Sequence, residues 1–594
     1  MSLSRRTGDA RGSMATDTTD TPPAAAAPSL ADVQHWTGVV GRAQQLMLEA
    51  GLQAAPNLLA PPGLPVIPGL NDPATVTRAV EFWREGLAFW QRVLDPAAEP
   101  AELVLTAKDK RFKAEGWQEP FFDWIRRSYE AVAQAMLQQV ERMEGVDEKQ
   151  RERLRFNARS FVEAMSPANF PLTNPQVIER AIETRGESLL KGLRNMLTDL
   201  QAGQLTHTDR TAFEVGRNLA TTPGKVVLRT PLFELIQYSP TTEKVLGAPL
   251  VIFPPWINRF YILDLTPEKS FIRWAVEQGL TVFMVSWKSA DASMKEVRWD
   301  DYVKAQVEAI DTVRDLLDAP AVHVIGYCVA GTTLAATLAL LTARGEAEKV
   351  RSATFFTAQV DFGQAGELLH FVDDEQLGMI ERLSPEGYLD GRVMAATFNA
   401  LRGRDLVWNY VTNNYLLGED YTAFDMLHWN GDTTNLPATW HLSYLRDLYR
   451  DNLLVEPGRL SVDGTPLDLT KVATPTYVQA GREDHIAPAE SVWKLTHLFR
   501  GDLRFVLAGS GHIAGVVNPP AAGKYQYWTN EAKVPTLAEF VEGATEIKGS
   551  WWPDWIGWVR ERAPDEVAAD GARTPGQGSL PALAEAPGEY VRQR

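Results

Sequence analysis

Cysteine is almost missing: the 594 residues contain one, Cys328. A single thiol cannot close an internal disulfide, so a disulfide-stapled scaffold is excluded and a reducing compartment, the cytoplasm by default, is expected. Long apolar runs are missing too. None reaches the roughly 18 residues that would suggest a membrane-spanning helix. The opening segment, MSLSRRTGDARGSM, has arginines with no apolar stretch behind them and reads as neither signal peptide nor anchor. Positive charge is in deficit, with 59 Lys and Arg against 76 Asp and Glu and a formal net charge of −17. A phosphate-binding surface needs clustered basic residues, so this balance argues against nucleic acid as a main partner. There is no G-x-x-x-x-G-K-[ST] and no His/Cys/Asp cluster with metal-ligand spacing, so neither a metal nor a nucleotide-cofactor fold is expected.

What is present is an ordinary globular composition, 45% apolar and 23% charged, on a chain long enough for more than one domain. Residues 1–29 are rich in Asp, Thr, Ala and Pro and read as a disordered tail; 565–594 have a similar composition and read the same way. Residues 30–207 show helical periodicity. QHWTGVVGRAQQLMLEAG, NDPATVTRAVEFWREGLAFWQRVL, EPFFDWIRRSYEAVAQAMLQQV and NPQVIERAIETRGESLLKGLRNML all space apolar residues by three and four. Asp72 and Thr75 are candidate caps of the second. From 208 to 564 the period changes. PLVIFPP, TVFMVSW, AVHVIGYC, SATFFTAQ, TPTYVQAG and LRFVLAGS are short β-branched runs, most of them followed by a helical one. That alternation predicts an α/β domain with a mostly parallel sheet covered on both faces. A stretch at about 361–446 breaks the alternation and reads as a helical cap inserted over the C-terminal edge of the sheet, where ligands bind in such folds.

The thiol sits on the turn between AVHVIGYC and GTTLAATL, almost without a loop. A nucleophile on such a strand-to-helix turn is held strained and exposed at the sheet edge, and needs small neighbours; Gly326, Ala330 and Gly331 supply them. The following helix N-terminus favours a thiolate, and backbone N–H groups from Val329 onward can donate to an oxyanion. A thiol nucleophile needs a base, and the base an orienting acid, in the chain order nucleophile, acid, histidine. TPTYVQAG is followed by REDHIAP, which offers Asp484, and LRFVLAGS by GHIAGVVNPP, which offers His512. His323, inside the nucleophile strand, reads as structural, and His485, beside the acid, as structural or as a support behind the catalytic residues.

Several of these segments, GYCVAGTTLAATLALL, GREDHIAP and GSGHIAGVVNPP among them, resemble the polyhydroxyalkanoate synthases. So do VIFPPWINRFYILDLTPEKSFIRWAVEQGLTVFMVSWKSAD, GSWWPDWIGWV, KDKRFKAEGWQEPFFDWIRRSYE and SPANFPLTNPQVIERAIETRGESLLKG. The resemblance runs from about Leu30 to Arg562, and the long helical N-terminal part is similar to that of the single-subunit class I enzymes. One departure stands out: Ala330 occupies the first glycine of the final pair in the family's G-x-C-x-G-G box. The resemblance implies an α/β-hydrolase fold behind an all-helical domain. It implies an acyltransferase that polymerises (R)-3-hydroxyacyl groups, most of all (R)-3-hydroxybutyryl, from coenzyme A thioesters into polyester, releasing CoA. Cys328 would carry the acyl group, with His512 and Asp484 completing a triad and the N–H groups of Val329 and, on PPWINRF, Ile257 facing the oxyanion. No cofactor is implied beyond the coenzyme A of the substrate. A homodimer, the surface of polyester granules and granule-associated proteins are the implied partners. Trp552, Trp555 and Trp558 recur at three-residue spacing, for packing or for contact with the granule. The same triad would equally serve a Cys-dependent hydrolase of a lactone or thioester. A non-catalytic granule scaffold would have no need of it.

Overall fold

A computed structural model describes residues 34–47, 84–85, 88–93 and 109–593. The expected tail 1–29 and the caps Asp72 and Thr75 lie outside the described residues. The N-terminal region is helical. α1 (Pro120–Glu141) places Ile125, Tyr129, Ala133 and Val140 on one face, and Tyr129 and Ala133 pack against Phe89, Val93 and Val162. α2 (Glu148–Ala164) starts at a capping box in which Asp147 and Gln150 satisfy each other's backbone N–H. α3 (Pro175–Glu183) and α4 (Glu187–Ala202) come from one continuous sequence pattern. Arg185 (φ 51°) and Gly186 (φ 84°) divide it by turning left-handed, and a side chain at Gly186 would press on Trp36 and Val39 at 2.9 Å.

The C-terminal region is built on one eleven-stranded sheet. Its strands are β1 (Gly224–Arg229), β2 (Phe233–Tyr238), β3 (Leu250–Phe253), β4 (Val282–Trp287), β5 (Val322–Tyr327), β6 (Val350–Phe356), β7 (Thr476–Gly481), β8 (Leu503–Ala508), β9 (Gln526–Thr529), β10 (Thr545–Lys548) and β11 (Ala584–Glu585). They lie in the order β10-β9-β8-β7-β6-β5-β3-β4-β2-β1-β11. The central six, β8 to β4, are parallel; the flanking strands are antiparallel. The parallel strands are the apolar runs of the sequence. The flanks, less apolar, carry no such signal.

Along β5 the side chains alternate between two cores. Val322 and Val324 face α5 (Trp299–Leu317) and α6 (Val329–Arg344), whereas Ile325 and Tyr327 face the helix Phe271–Glu277 and the tryptophan segment. The chain runs β3, β4 and then back across β3 to β5, so neighbouring crossovers leave β3 in opposite directions. That reversal opens a crevice beyond the C-terminal ends of β3 and β5. Over it lies the insertion between β6 and β7, which includes α7 (Asp374–Arg382), α8 (Gly391–Leu401), α9 (Ala438–Ser443) and the wide-turned segment Tyr444–Arg450.

Residues 565–593 are not the loose tail expected from composition. Glu566–Ala568 pairs with Lys244–Leu246, and β11 pairs with β1. The Arg573 guanidinium is buried and donates to Thr281 Oγ1 (2.9 Å) and the Gly247 carbonyl (2.7 Å). The buried Glu234 carboxylate accepts from the backbone N–H of Glu589 and Tyr590 at 2.9 and 3.0 Å. Order here comes from backbone pairing and a few polar anchors, to which apolar periodicity is blind. Among the described residues no helix is long and apolar enough to cross a membrane.

Candidate active site

Cys328 stands between β5 and α6 with φ 53° and ψ −125°, a left-handed backbone that costs a non-glycine residue about 1–3 kcal/mol. Neighbouring contacts hold it there. Its N–H donates to the Phe356 carbonyl (3.0 Å), and its carbonyl accepts from Gly331 (2.9 Å) and Thr332 (3.1 Å). The turn closes only because strand and helix touch at two glycines. A Cβ on Gly326 would lie 2.6 Å from Gly331 Cα, and one on Gly331 2.4 Å from Ala358 Cβ. Ala330 meets no such limit: its methyl packs in the core between sheet and helices, and its carbonyl accepts from the buried Gln306 amide (3.0 Å). The departure from the family box therefore falls on the one small position of the turn that has room.

Asp484 follows β7 by three residues and His512 follows β8 by four. His512 Nδ1 donates to Asp484 Oδ2 at 2.7 Å, while Asp484 Oδ1 accepts from the N–H groups of Ile486 (2.8 Å) and Ala487 (2.9 Å). The carboxylate is thus anchored on one oxygen and orients the imidazole with the other. Burial alone would push the His512 imidazole down. The charges of Asp484 and Cys328, with hydrogen bonds to both side chains, outweigh it and push the pKa up to about 10. With Nδ1 committed to Asp484, Nε2 is the nitrogen left for the sulfur. Tyr327, next to the thiol, fixes the histidine loop by donating its hydroxyl to the His512 carbonyl (2.9 Å).

The two N–H groups assigned to the oxyanion come from different elements. Val329 opens α6, so its N–H is among those with no acceptor inside the helix. Ile257 is half-buried in the loop after β3, and the insertion holds that loop. Thr434 Oγ1 donates to the Trp256 carbonyl (2.5 Å), and Arg259 is ion-paired with Asp432 (3.1 Å). From above, Tyr444 and Tyr449 of the insertion stand near Cys328; both phenols are pushed up by burial first and then by the charge of the sulfur, beside the larger effect of Tyr449 in the case of Tyr444. Neither tyrosine, nor Tyr327, was singled out from the sequence. Tyr327 adjoins the thiol and was available to inspection; the insertion offers no strand or helix period that would mark the other two.

Of the remaining candidates, His323 and the tryptophans have structural surroundings, whereas His485 lies within reach of the charges of Asp484 and His512 and its buried Nδ1 has no hydrogen-bond partner. His323 is buried, bonded through Nδ1 to Ser352 Oγ (2.7 Å) and pushed down to about 4 by burial. His485 is half-buried and pushed down, again by burial first. Trp552, Trp555 and Trp558 are buried on the back of the sheet, where the indole N–H groups of Trp552 and Trp555 donate to the Val516 carbonyl (2.9 Å) and Thr354 Oγ1 (3.0 Å). Of the two roles considered for them, their surroundings match packing.

A family profile described as the N-terminus of poly-beta-hydroxybutyrate polymerase (PhaC) matches residues 108–275, and one described as the alpha/beta hydrolase fold matches residues 249–519. The chain is 45% identical over 538 residues to the poly(3-hydroxyalkanoate) polymerase subunit PhaC of Rhizobium meliloti (strain 1021), covering 88% of this chain and 87% of that one. It is 45% identical over 522 residues to the poly(3-hydroxyalkanoate) polymerase of Methylorubrum extorquens, covering 86% and 85%. To the poly(3-hydroxyalkanoate) polymerase subunit PhaC of Cupriavidus necator (strain H16) it is 42% identical over 543 residues, covering 90% and 91%.

Proposed function

The chain belongs to the poly(3-hydroxyalkanoate) polymerases, and from that premise we propose that it extends a polyester by transferring (R)-3-hydroxyacyl groups, above all (R)-3-hydroxybutyryl, from coenzyme A thioesters through a covalent thioester on Cys328. It is an acyltransferase. His512 Nε2 holds the thiol proton as an imidazolium, in keeping with its raised pKa, and the thiolate attacks the substrate carbonyl. The tetrahedral oxyanion is received by the N–H groups of Val329 and Ile257. Collapse breaks the C–S bond to CoA, and the imidazolium returns its proton to the departing thiolate. Exchange of one thioester for another is nearly balanced in energy, so the acyl group stays transferable. The 3-hydroxyl of the next CoA thioester then attacks the acyl-enzyme; His512 removes its proton, with Asp484 stabilising the imidazolium, and passes it to the Cys328 sulfur as the C–S bond breaks, and the lengthened CoA thioester reacylates Cys328.

The observation that supports this best is the 2.7 Å hydrogen bond from His512 to Asp484, with the imidazole close enough to feel the charge of the Cys328 sulfur, at the ends of three parallel strands. Water must be kept from the acyl-enzyme or the product is a free acid, and the insertion above Cys328 is suited to exclude it. The reading calls for no cofactor. It places the protein at the surface of polyester granules, as a homodimer in contact with granule-associated proteins. The test is incubation of purified protein with (R)-3-hydroxybutyryl-CoA, following CoA release and polymer mass. Polyester with stoichiometric CoA is expected; free 3-hydroxybutyrate in its place would make the protein a thioesterase. Cys328→Ala is expected to abolish both CoA release and polymer.

A further inference from the structure

The insertion encloses a cavity that the triad does not use. The volume of the cavity is about 100 Å³. Ile257, Tyr444 and Tyr449 border it on the side of Cys328, and Met379, Val393 and Phe398, from α7 and α8, line its interior. Among the described residues no charged side chain lines it. His441, on α9, also lines it and is 3% exposed; its ring is stacked on Trp440, with centroids 5.8 Å apart, and its buried Nδ1 has no hydrogen-bond partner.

A buried polar nitrogen without a partner is unfavourable, and replacing the imidazole by an apolar side chain would remove the penalty. The position therefore suits a ligand that brings the missing partner. Burial pushes His441 down to about 4, so near neutral pH it offers a dipole and not a charge. A dipole within uncharged, mostly apolar walls matches a neutral carbonyl. It does not match the phosphates of coenzyme A, which would need cations that the lining lacks. The cavity also begins at residues that stand over the sulfur. An aliphatic chain with an ester carbonyl at intervals has these properties.

We propose that this cavity holds the acyl chain tethered to Cys328, and that His441 donates Nδ1–H to an ester carbonyl of that chain. This rests on the function proposed above and adds to it a subsite for the growing polyester, distinct from the place of the incoming CoA thioester.

The probes are (R)-3-hydroxybutyryl-CoA, which has no internal ester, and the CoA thioester of the linear 3-hydroxybutyrate trimer, which has two. For His441→Leu in the full-length protein, the trimer-to-monomer ratio of kcat/KM for CoA release is expected to fall about tenfold, the size of one lost hydrogen bond, with shorter polymer. His441→Asn, which keeps an N–H donor, should recover most of the ratio. Val393→Phe, filling the cavity from α8, should lower the same ratio and keeps the proposal testable if the leucine variant does not fold. A ratio unchanged in the variants that fold, or no recovery with asparagine, would overturn the subsite. Absence of CoA release from either thioester by the wild-type protein would instead overturn the function on which the subsite rests.

Discussion

His512 Nδ1 lies 2.7 Å from Asp484 Oδ2, and the other oxygen of that carboxylate is occupied by two backbone N–H groups. The arrangement fixes the tautomer: Nδ1 carries the proton and Nε2 faces the sulfur unprotonated once the pair is neutral. In Asp484→Asn the amide oxygen would stay with the N–H groups of Ile486 and Ala487, turning the NH₂ toward Nδ1. The imidazole would then protonate Nε2 and could not accept the thiol proton. Loss of turnover by about 10⁴, as in other triads whose acid is made an amide, is expected in CoA-release assays, with unfolding temperature little changed. Retention of a tenth or more of wild-type turnover would remove Asp484 from the role given to it.

The raised pKa of His512 also makes stability depend on pH. The ordinary value of 6.5 applies to the unfolded chain, and the folded value is about 10. Below pH 6.5 both states bind the proton and the ionic pairing contributes in full. Between 6.5 and 10 the unfolded chain releases the proton while the folded one keeps it, so this contribution falls as pH rises, and it is gone above the folded value. Urea midpoints of the wild type and of His512→Gln, measured at pH 6, 8 and 9.5, should converge on the alkaline side. A difference that grows with pH has the wrong sign for a proton held by the folded state.

The elbow separates two small residues that look alike in sequence. Gly331→Ala would force a methyl to 2.4 Å from Ala358 Cβ and 2.8 Å from the Gly326 carbonyl, backbone and core that cannot turn aside. A loss of about 1–3 kcal/mol or more is expected from such overpacking. Ala330→Gly would restore the family box at the cost of one buried methyl and of helix propensity, about 1 kcal/mol each. Chemical denaturation of the two variants is expected to rank Gly331→Ala as the more damaging.

Much of this was legible because chemistry and periodicity coincide at the centre of the sheet. β5, β7 and β8 are buried along their length or nearly so, which makes them continuous apolar runs, and each is followed within four residues by the one with a chemical role. Cys328, Asp484 and His512 could therefore be placed by counting strands. β1, β2, β9 and β10 were not seen: β9 and β10 have four residues each, β10 is largely exposed, and polar residues such as Glu234 and Gln237 interrupt the apolar run of the buried β2. The break at Arg185 was hidden by apolar spacing that continues on both sides of it. Tyr444 and Tyr449 depend on the path of an insertion whose helices are short or wide-turned, and no local pattern reports that path.

The last misread element, the C-terminal segment, makes a prediction of its own. Arg259, two residues beyond Ile257, is 3% exposed and donates to Asp432 (3.1 Å) in the insertion and to the carbonyls of Tyr590 (3.2 Å) and Gln593 (2.6 Å). Tyr261 adds a hydroxyl to the other oxygen of Asp432 (2.9 Å). One guanidinium thus joins the loop after β3, the insertion and the end of the described chain. Arg259→Met would leave a buried carboxylate without its cation, a change that typically costs about 3–5 kcal/mol. Arg259→Lys keeps the charge but cannot reach three acceptors in a plane, and should fall between the two. Removing residues 587–594 takes away two of the acceptors and both N–H groups that satisfy Glu234, while leaving the Arg259–Asp432 pair intact. It should therefore destabilise the chain by less than Arg259→Met does. Urea denaturation of the four proteins should give the order wild type, truncation or lysine, then methionine. A methionine variant within about 0.5 kcal/mol of wild type, the range of an ordinary surface change, would mean that the junction holds nothing together.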